Sequence, residues 1–261
     1  MIQKLFPAIQ GLILDMDGVL YQGNEPLGNL PDLFAAIKEH GLRVIMATNN
    51  AIRNSDEHRE KMRSFGVDLE PWQVINSMQV VVELLKHRFP DGGPIFSVAS
   101  PSTMKAFEEA GYYNDEKNAQ AVIVGLDRHV TYEKIEIATL LIRSGLLYIG
   151  TNPDASFPTP KGQLPGAGSI IAAVTTASGV EPLFAGKPEP AMYEICMERL
   201  GTTPETTLAI GDRLDTDILG GNRAGCRTGL VMSGVTSPDD LAHWEPKPDL
   251  VADDLWKMLG L

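Results

Sequence analysis

The chain has only two cysteines, Cys196 and Cys226, and neither belongs to a Cys-x-x-Cys pair or a Cys/His grouping. That excludes a disulfide framework and a thiolate zinc site, and two lone thiols are expected as core residues in a reducing cytoplasm. Long apolar runs are also missing, and none approaches the roughly 18 residues of a membrane span. The opening Met1-Ile2-Gln3-Lys4-Leu5-Phe6-Pro7 has no extended apolar stretch or small-residue cleavage site, so no signal peptide is expected. Positive charge is scarce: 22 Lys and Arg stand against 34 Asp and Glu, for a net charge of −12 and a pI near 4.8. Nucleic-acid backbones and anionic membrane surfaces are thereby excluded as partners, because binding them needs clustered cations. A small anionic ligand is not excluded, since one cation and one lysine can offset its charge locally.

What is present is enough apolar material for a core, 43% of 261 residues, laid out in a βα rhythm. Short apolar runs, Gly11–Leu14, Arg43–Ala47, Leu183–Ala185 and Leu208–Ile210, read as strands, with shorter candidates at Leu230-Val231 and Leu250-Val251. Helical spacing marks Leu30, Leu33, Phe34 and Ile37, then Ser55–Phe65 with Ser55 as N-cap, then Met192, Ile195, Cys196 and Leu200 behind Pro190. The middle carries elements of its own. A stripe from Met78 to Phe89 precedes strands at Ile95–Ala99, Ala121–Val124 and Leu147–Gly150, and helices at Ser102–Ala110 and Tyr132–Ser144. This block, 78–180, is long enough to bury a small core, so it reads as an α/β domain inserted between core segments 1–77 and 181–261. The fold class is α/β, a Rossmann-like parallel sheet.

Four polar clusters directly follow apolar runs: Asp15-Met16-Asp17-Gly18, Thr48-Asn49-Asn50, Gly186-Lys187-Pro188, and Gly211-Asp212 with Asp215 and Asp217. Open α/β sheets bind ligands at the carboxyl ends of their strands, so the four can converge. Asp15 and Asp17, two apart in extended chain, start on the same side, where crowded carboxylates resist double ionisation and suit a nucleophile and a proton donor. A hairpin turn at Asp17-Gly18 is the plain alternative. Thr48 and Asn49 lie where free N–H groups and hydroxyls favour an anion, or in an ordinary loop. Lys187 can aim an ammonium at a phosphate, or face solvent. Asp212, hard against a strand end, suits a hard cation such as Mg²⁺, whereas Asp215 and Asp217 also fit an acidic helix N-terminus. Gly166-Ala167-Gly168 lacks the third glycine of a dinucleotide loop.

In this order the clusters resemble the four motifs of the haloacid dehalogenase superfamily. The long gap between Thr48 and Lys187 is similar to the branch of p-nitrophenyl, phosphoglycolate, pyridoxal and some nucleotide phosphatases. The resemblance runs through nearly the whole chain, including Gly125-Leu126-Asp127, Thr131-Tyr132-Glu133-Lys134, Thr151-Asn152-Pro153-Asp154 and Pro165-Gly166-Ala167-Gly168-Ser169. It implies a Mg²⁺-dependent phosphatase in which Asp15 forms an aspartyl-phosphate and Asp17 moves the proton. It further implies Mg²⁺ held by the Asp15 carboxylate, the Asp17 carbonyl and Asp212. Thr48, Asn49 and neighbouring Asn50 would bind substrate with Lys187, and Asp217 would support Lys187 or the metal. The inserted block becomes a cap that closes over the crevice, with Asn152, Pro153, Asp154 and Phe157 placed to reach the leaving group or, equally, forming a Pro-stiffened hinge loop. The expected partner is a small phosphorylated metabolite in the cytoplasm, with a homodimer allowed. Phosphoglycolate, pyridoxal phosphate, sugar phosphates and nucleoside monophosphates all stay open as substrates.

One stretch departs from the family pattern: Ala51-Ile52-Arg53 stands where Ser or Thr with Arg or Lys often follows. A dehalogenase or phosphonatase would not need Asp17. A phosphomutase of this superfamily usually carries its cap between the first two motifs, and an ion pump needs membrane spans. A non-catalytic phospho-ligand sensor on the same scaffold is the alternative from another class.

Overall fold

A computed structural model of the chain describes residues 8–51, 53–159 and 162–260. The opening segment Met1–Pro7 and the Ile52 of the departure noted above lie outside the described residues. The chain divides into two compact units: Met1–Thr48, Ser55–Ile75 and Lys187–Leu261 in the first, and Asn49–Asn54 with Asn76–Gly186 in the second. The expected insertion, 78–180, falls within the second unit, which also takes in Leu183–Phe184.

The first unit holds a sheet with strands in the order Leu250–Ala252, Arg227–Val231, Thr207–Gly211, Gly11–Leu14, Arg43–Thr48 and Val74–Asn76. Gly11–Leu14 pairs in parallel on both sides, with Leu14 opposite Ile210 and Met46. Leu12, Leu14, Val44, Met46, Leu208 and Ile210 point into one core cluster. The alternating residues Ile13, Ile45 and Ala209 are buried as well. Burial on both faces is why these strands read as unbroken apolar runs rather than as alternating ones. Each fully buried Leu or Ile side chain here contributes roughly 1.5–3 kcal/mol. Helix Leu30–Glu39 lays Leu30, Leu33 and Ile37 on this core and begins at Asn29, whose side chain accepts from the Asp32 N–H.

The second unit has its own sheet, ordered Leu183–Phe184, Leu147–Gly150, Ala121–Val124, Gly93–Val98 and Tyr112–Asn114, with every pairing parallel. Its core is separate and includes Phe96, Val122, Val124, Tyr148, Ile171 and Val174. Leu183–Phe184, read above as a strand following the insertion, extends this second sheet instead. The reason is the helix Ala167–Ser178, not anticipated from the sequence, which makes the crossover that returns the chain parallel to Leu147–Gly150. The Pro- and Gly-rich stretch after Asn152 contains a short antiparallel ribbon, Ser156–Thr159 with Gly162–Pro165. Helix Ser77–Arg88 opens on a capping box, Asn76 with Gln79. No helix among the described residues is long and apolar enough to cross a membrane.

Candidate active site

Because the strands of the first sheet are parallel and in register, their carboxyl ends bring Asp15, Thr48 and Asp212 to one edge. Asp15 continues the ladder, its N–H donating to the Ile210 carbonyl at 2.9 Å. Lys187 is buried with 3% exposure. Its Nζ donates to Asp15 Oδ1 at 2.5 Å, Asp217 Oδ1 at 2.6 Å and the Ala47 carbonyl at 3.0 Å. The solvent-facing alternative for Lys187 therefore does not hold. Burial works against its charge, but Asp15 and Asp217 outweigh that and hold its pKa well above the usual lysine value.

Asp15, Asp212 and Asp217 each offer a carboxylate oxygen, all within 4.8 Å of one another. Burial pushes the Asp15 carboxyl up to about 8 against the pull of Lys187, with Asp217 and Asp212 adding to the rise. Burial and the Asp217 charge likewise raise Asp212 to about 6, opposed by the Val235 N–H. The carboxylates that crowd Asp15 are thus Asp212 and Asp217. Asp17, expected in that role, is exposed and absent from the group.

The two readings of Asp215 and Asp217 now separate. The segment Leu214–Ile218 is one π-helical turn. Asp215 lies on its outside, paired with Arg213 at 3.1 Å, as an acidic residue of a first turn. Asp217 is turned inward: Oδ1 takes Lys187, and Oδ2 accepts the Arg213 N–H at 3.1 Å. The π-turn, a feature concentrated at functional sites, is what re-aims Asp217 two residues after Asp215. A Cβ on Gly211 would collide with the Asp217 carboxylate, so the strand must end in glycine there.

Asp212 is fixed from a loop that the sequence reading passed over. Its Oδ2 accepts the Val235 N–H at 2.7 Å, and its carbonyl accepts Thr236 Oγ1 at 2.6 Å. Ser233 Oγ donates to the Gly18 carbonyl at 2.7 Å, tying the same loop to the Asp15–Gly18 turn. Gly18 has φ 82°, and a side chain at Gly18 or Gly234 would strike Asp212. The sequence signal is weak: Ser233-Gly234-Val235-Thr236 follows the strand Arg227–Val231 only after Met232. Buried Tyr193 is the other residue missed, donating from its hydroxyl to the Asp217 carbonyl at 3.0 Å. At an apolar helical position it carries no sequence mark.

Asp15 and Asp212 each keep one carboxylate oxygen that accepts no hydrogen bond among the described residues, whereas both oxygens of Asp217 are engaged. An all-oxygen donor set of this kind suits a hard divalent cation. Thr48 is buried at its strand end. In the second unit Asn152 Nδ2 donates to the Asn49 carbonyl at 2.9 Å, and Asn49 Nδ2 to Asp154 Oδ1 at 3.5 Å. Asn50 is exposed.

Two family models match the chain: haloacid dehalogenase-like hydrolase over residues 12–113 and HAD-hydrolase-like over 184–258. The 5'-nucleotidase YutF of Bacillus subtilis is 34% identical across 94% of this chain and 96% of its own length. An acid sugar phosphatase of Staphylococcus aureus is also 34% identical, over 93% and 94%. Among solved structures, a 4-nitrophenylphosphatase of Thermotoga maritima superposes with a TM-score of 0.91 at 35% identity, covering 97% of both chains. NagD from E. coli gives 0.86 at 28% identity, over 96% of its chain and 94% of this one. With its motifs, its sheet order and these relatives in agreement over nearly the full length, the chain belongs to the haloacid dehalogenase-like hydrolases, in the branch of the p-nitrophenyl phosphatases.

Proposed function

We propose that the chain hydrolyses a small phosphate monoester through a phosphoryl group carried transiently on Asp15, with Mg²⁺ as cofactor. The class, a phosphate-ester hydrolase, follows from the family and the relatives. One observation carries the finer reading: Lys187, buried, bridges Asp15 and Asp217 while Asp15 keeps its second oxygen free. A carboxylate so held is positioned to attack, and a cation beside it offsets repulsion from an anionic ester.

In the first step the free Asp15 oxygen bonds to phosphorus as the bond to the leaving oxygen breaks, and the Asp17 carboxyl gives that oxygen its proton. In the second, Asp17 takes a proton from water, which attacks the aspartyl-phosphate, releasing phosphate and restoring the Asp15 carboxylate. The exposed position of Asp17 suits a group that exchanges protons with water and the leaving alcohol. Thr48, the chain at Asn49 and Lys187 would hold the phosphoryl oxygens. Asp15, Asp212 and the Asp17 carbonyl would hold Mg²⁺, and Asp217 is assigned to Lys187. When bound, Mg²⁺ supplies positive charge to the phosphoryl oxygens and to a carboxylate that burial otherwise holds protonated.

The second unit is read as the cap, with Asn152 and Asp154 toward the leaving group. The substrate is read as a small phosphorylated metabolite and the location as cytoplasmic, in keeping with two buried free thiols. The test is turnover of p-nitrophenyl phosphate with Mg²⁺ and after EDTA. Folded protein without cation-dependent turnover sinks this reading and favours the phospho-ligand sensor.

A further inference from the structure

The turn that carries Asp17 has little structure of its own to hold it. After Asp15 the chain closes tightly, with the Gly18 N–H donating to the Tyr21 carbonyl at 2.7 Å and the Leu20 N–H to the Met16 carbonyl at 2.9 Å. It then enters a ribbon of two short antiparallel strands, Tyr21–Gln22 and Glu25–Pro26. A ribbon this short is marginal in water and takes its position from what it leans on. Asp17 itself is exposed, and its backbone bridges that of Tyr21.

Two supports hold the ribbon, both within the first unit. On one side stands helix Ser55–Ser64, where Lys61 sets its ammonium 3.5 Å from the Tyr21 ring centroid and donates to the Gly23 carbonyl at 2.6 Å. On the other stands Ser233. Its hydroxyl donates to the Gly18 carbonyl at 2.7 Å, and its own carbonyl accepts Gln22 Nε2 at 2.7 Å. Gly18 and Gln22 are the two ends of the turn, so Ser233 spans its neck. The approach is close, because a side chain at Gly18 would meet the Gly234 backbone as well as the Asp212 carboxylate. Further along the same loop, Val235 and Thr236 hold Asp212 through hydrogen bonds of 2.7 and 2.6 Å. One loop of four residues thus fixes the neighbour of Asp17 and the carboxylate of Asp212 together. Neither Ser233 nor Gln22 has a place in the steps set out above.

Resting on the phosphatase reading above, we propose that Ser233 and Gln22 are positioning residues for Asp17. They hold the turn so that the Asp17 carboxyl meets the leaving oxygen as its bond to phosphorus breaks. Proton transfer in the transition state needs hydrogen-bond reach, and a misplacement of about 1 Å costs on the order of 10² in rate. That cost falls unevenly. A weakly basic leaving group such as p-nitrophenolate departs without a proton, whereas a more basic one depends on receiving it.

The test measures kcat/KM, with Mg²⁺, for phenyl phosphates running from p-nitrophenyl to p-methoxyphenyl, which differ chiefly in the basicity of the leaving oxygen. Ser233→Ala should slow the p-methoxyphenyl ester roughly tenfold and the p-nitrophenyl ester by no more than about threefold, a steeper dependence than the parent's. Gln22→Met removes the other hydrogen bond from an exposed side chain of similar length, and should steepen the dependence in the same direction by less. With cation removed by EDTA, both variants should also exchange the backbone hydrogens of residues 16–22 faster than the parent, read by mass spectrometry, with the strand Thr207–Gly211 unchanged. An equal fractional loss across the esters, which a merely structural role would give, overturns the inference. Exchange at the parent's rate also overturns it. The phosphatase reading fails differently: no ester turns over with Mg²⁺, while the exchange difference between parent and variants remains.

Discussion

The carboxyl edges of the two sheets put polar residues to work in different ways. On the first, Lys187, Asp15, Asp217 and Asp212 are largely withdrawn from water; Lys187 bridges Asp15 and Asp217, and backbone N–H groups fix the Asp217 and Asp212 carboxylates. On the second, amides tie loop to loop, and Arg128 stands exposed over an aromatic ring. Buried, mutually dependent charges tolerate little change, because removing one strands the others. An exposed charge on a loop can be exchanged at small cost.

The largest effects should come from the first edge. Asp15→Asn should lower kcat for p-nitrophenyl phosphate by about 10⁴-fold or more while circular dichroism shows an intact fold. Residual turnover near that of the parent would mean another nucleophile. Lys187→Ala should cost on the order of 10²–10³ in rate. It should also destabilise the protein in urea by roughly 3–5 kcal/mol, because Asp15 and Asp217 lose their shared cation. A rate loss without a stability loss would break the claim that this edge is interdependent.

Much of the first edge was legible from the sequence because it follows one rule, a polar cluster directly after an apolar run. Asp15, Thr48, Lys187 and Asp212 all meet that rule and reach the same edge. Asp217 could be named but not assigned, since separating it from Asp215 depends on the π-turn at Leu214–Ile218, and helix pitch leaves no mark in composition. Ser233–Thr236 stands one residue beyond the strand Arg227–Val231, behind Met232, and the rule as applied did not single it out. The second edge was harder. Helix Ala167–Ser178 hides behind a Pro- and Gly-rich stretch, and without it Leu183–Phe184 has no reason to join the second sheet. The stacking of Arg128 on Phe157 joins residues from separate loops, which only the fold brings together.

A smaller effect should come from Gly234, which lets the Ser233–Thr236 loop approach Asp212. Gly234→Ala places a methyl against the Asp212 carboxylate, so Asp212 must shift and the Val235 N–H with it. The expected outcome is about tenfold weaker activation by Mg²⁺, in the range seen when the partners that orient a metal ligand are lost. Titrating activity against Mg²⁺ reads this directly. Unchanged activation would place the cation away from Asp212. A change in maximal rate alone would mean that Asp212 acts on catalysis without holding the ion.

The last effect concerns protons. Asp15 at about 8 and Asp212 at about 6 are both raised from 3.8, so the folded protein without cation holds protons that the unfolded chain releases. Stability from this source is full below the ordinary carboxylate range, and it is lost as pH rises through about 6 and then about 8. The EDTA-treated protein should therefore lose Tm progressively between pH 5 and 9, by about 2–4 °C for each kcal/mol lost. Mg²⁺ should restore most of it at the alkaline end, because cation and protons compete for the same oxygens. Asp212→Asn removes one of the two raised carboxylates and a neighbour of the other, so its Tm should vary less with pH over that range. Arg128→Gln, on the other edge, should leave the slope as it is. Equal slopes in parent and Asp212→Asn would mean that the carboxylates of the first edge do not share their protons, and the contrast between the two edges would lose its electrostatic basis.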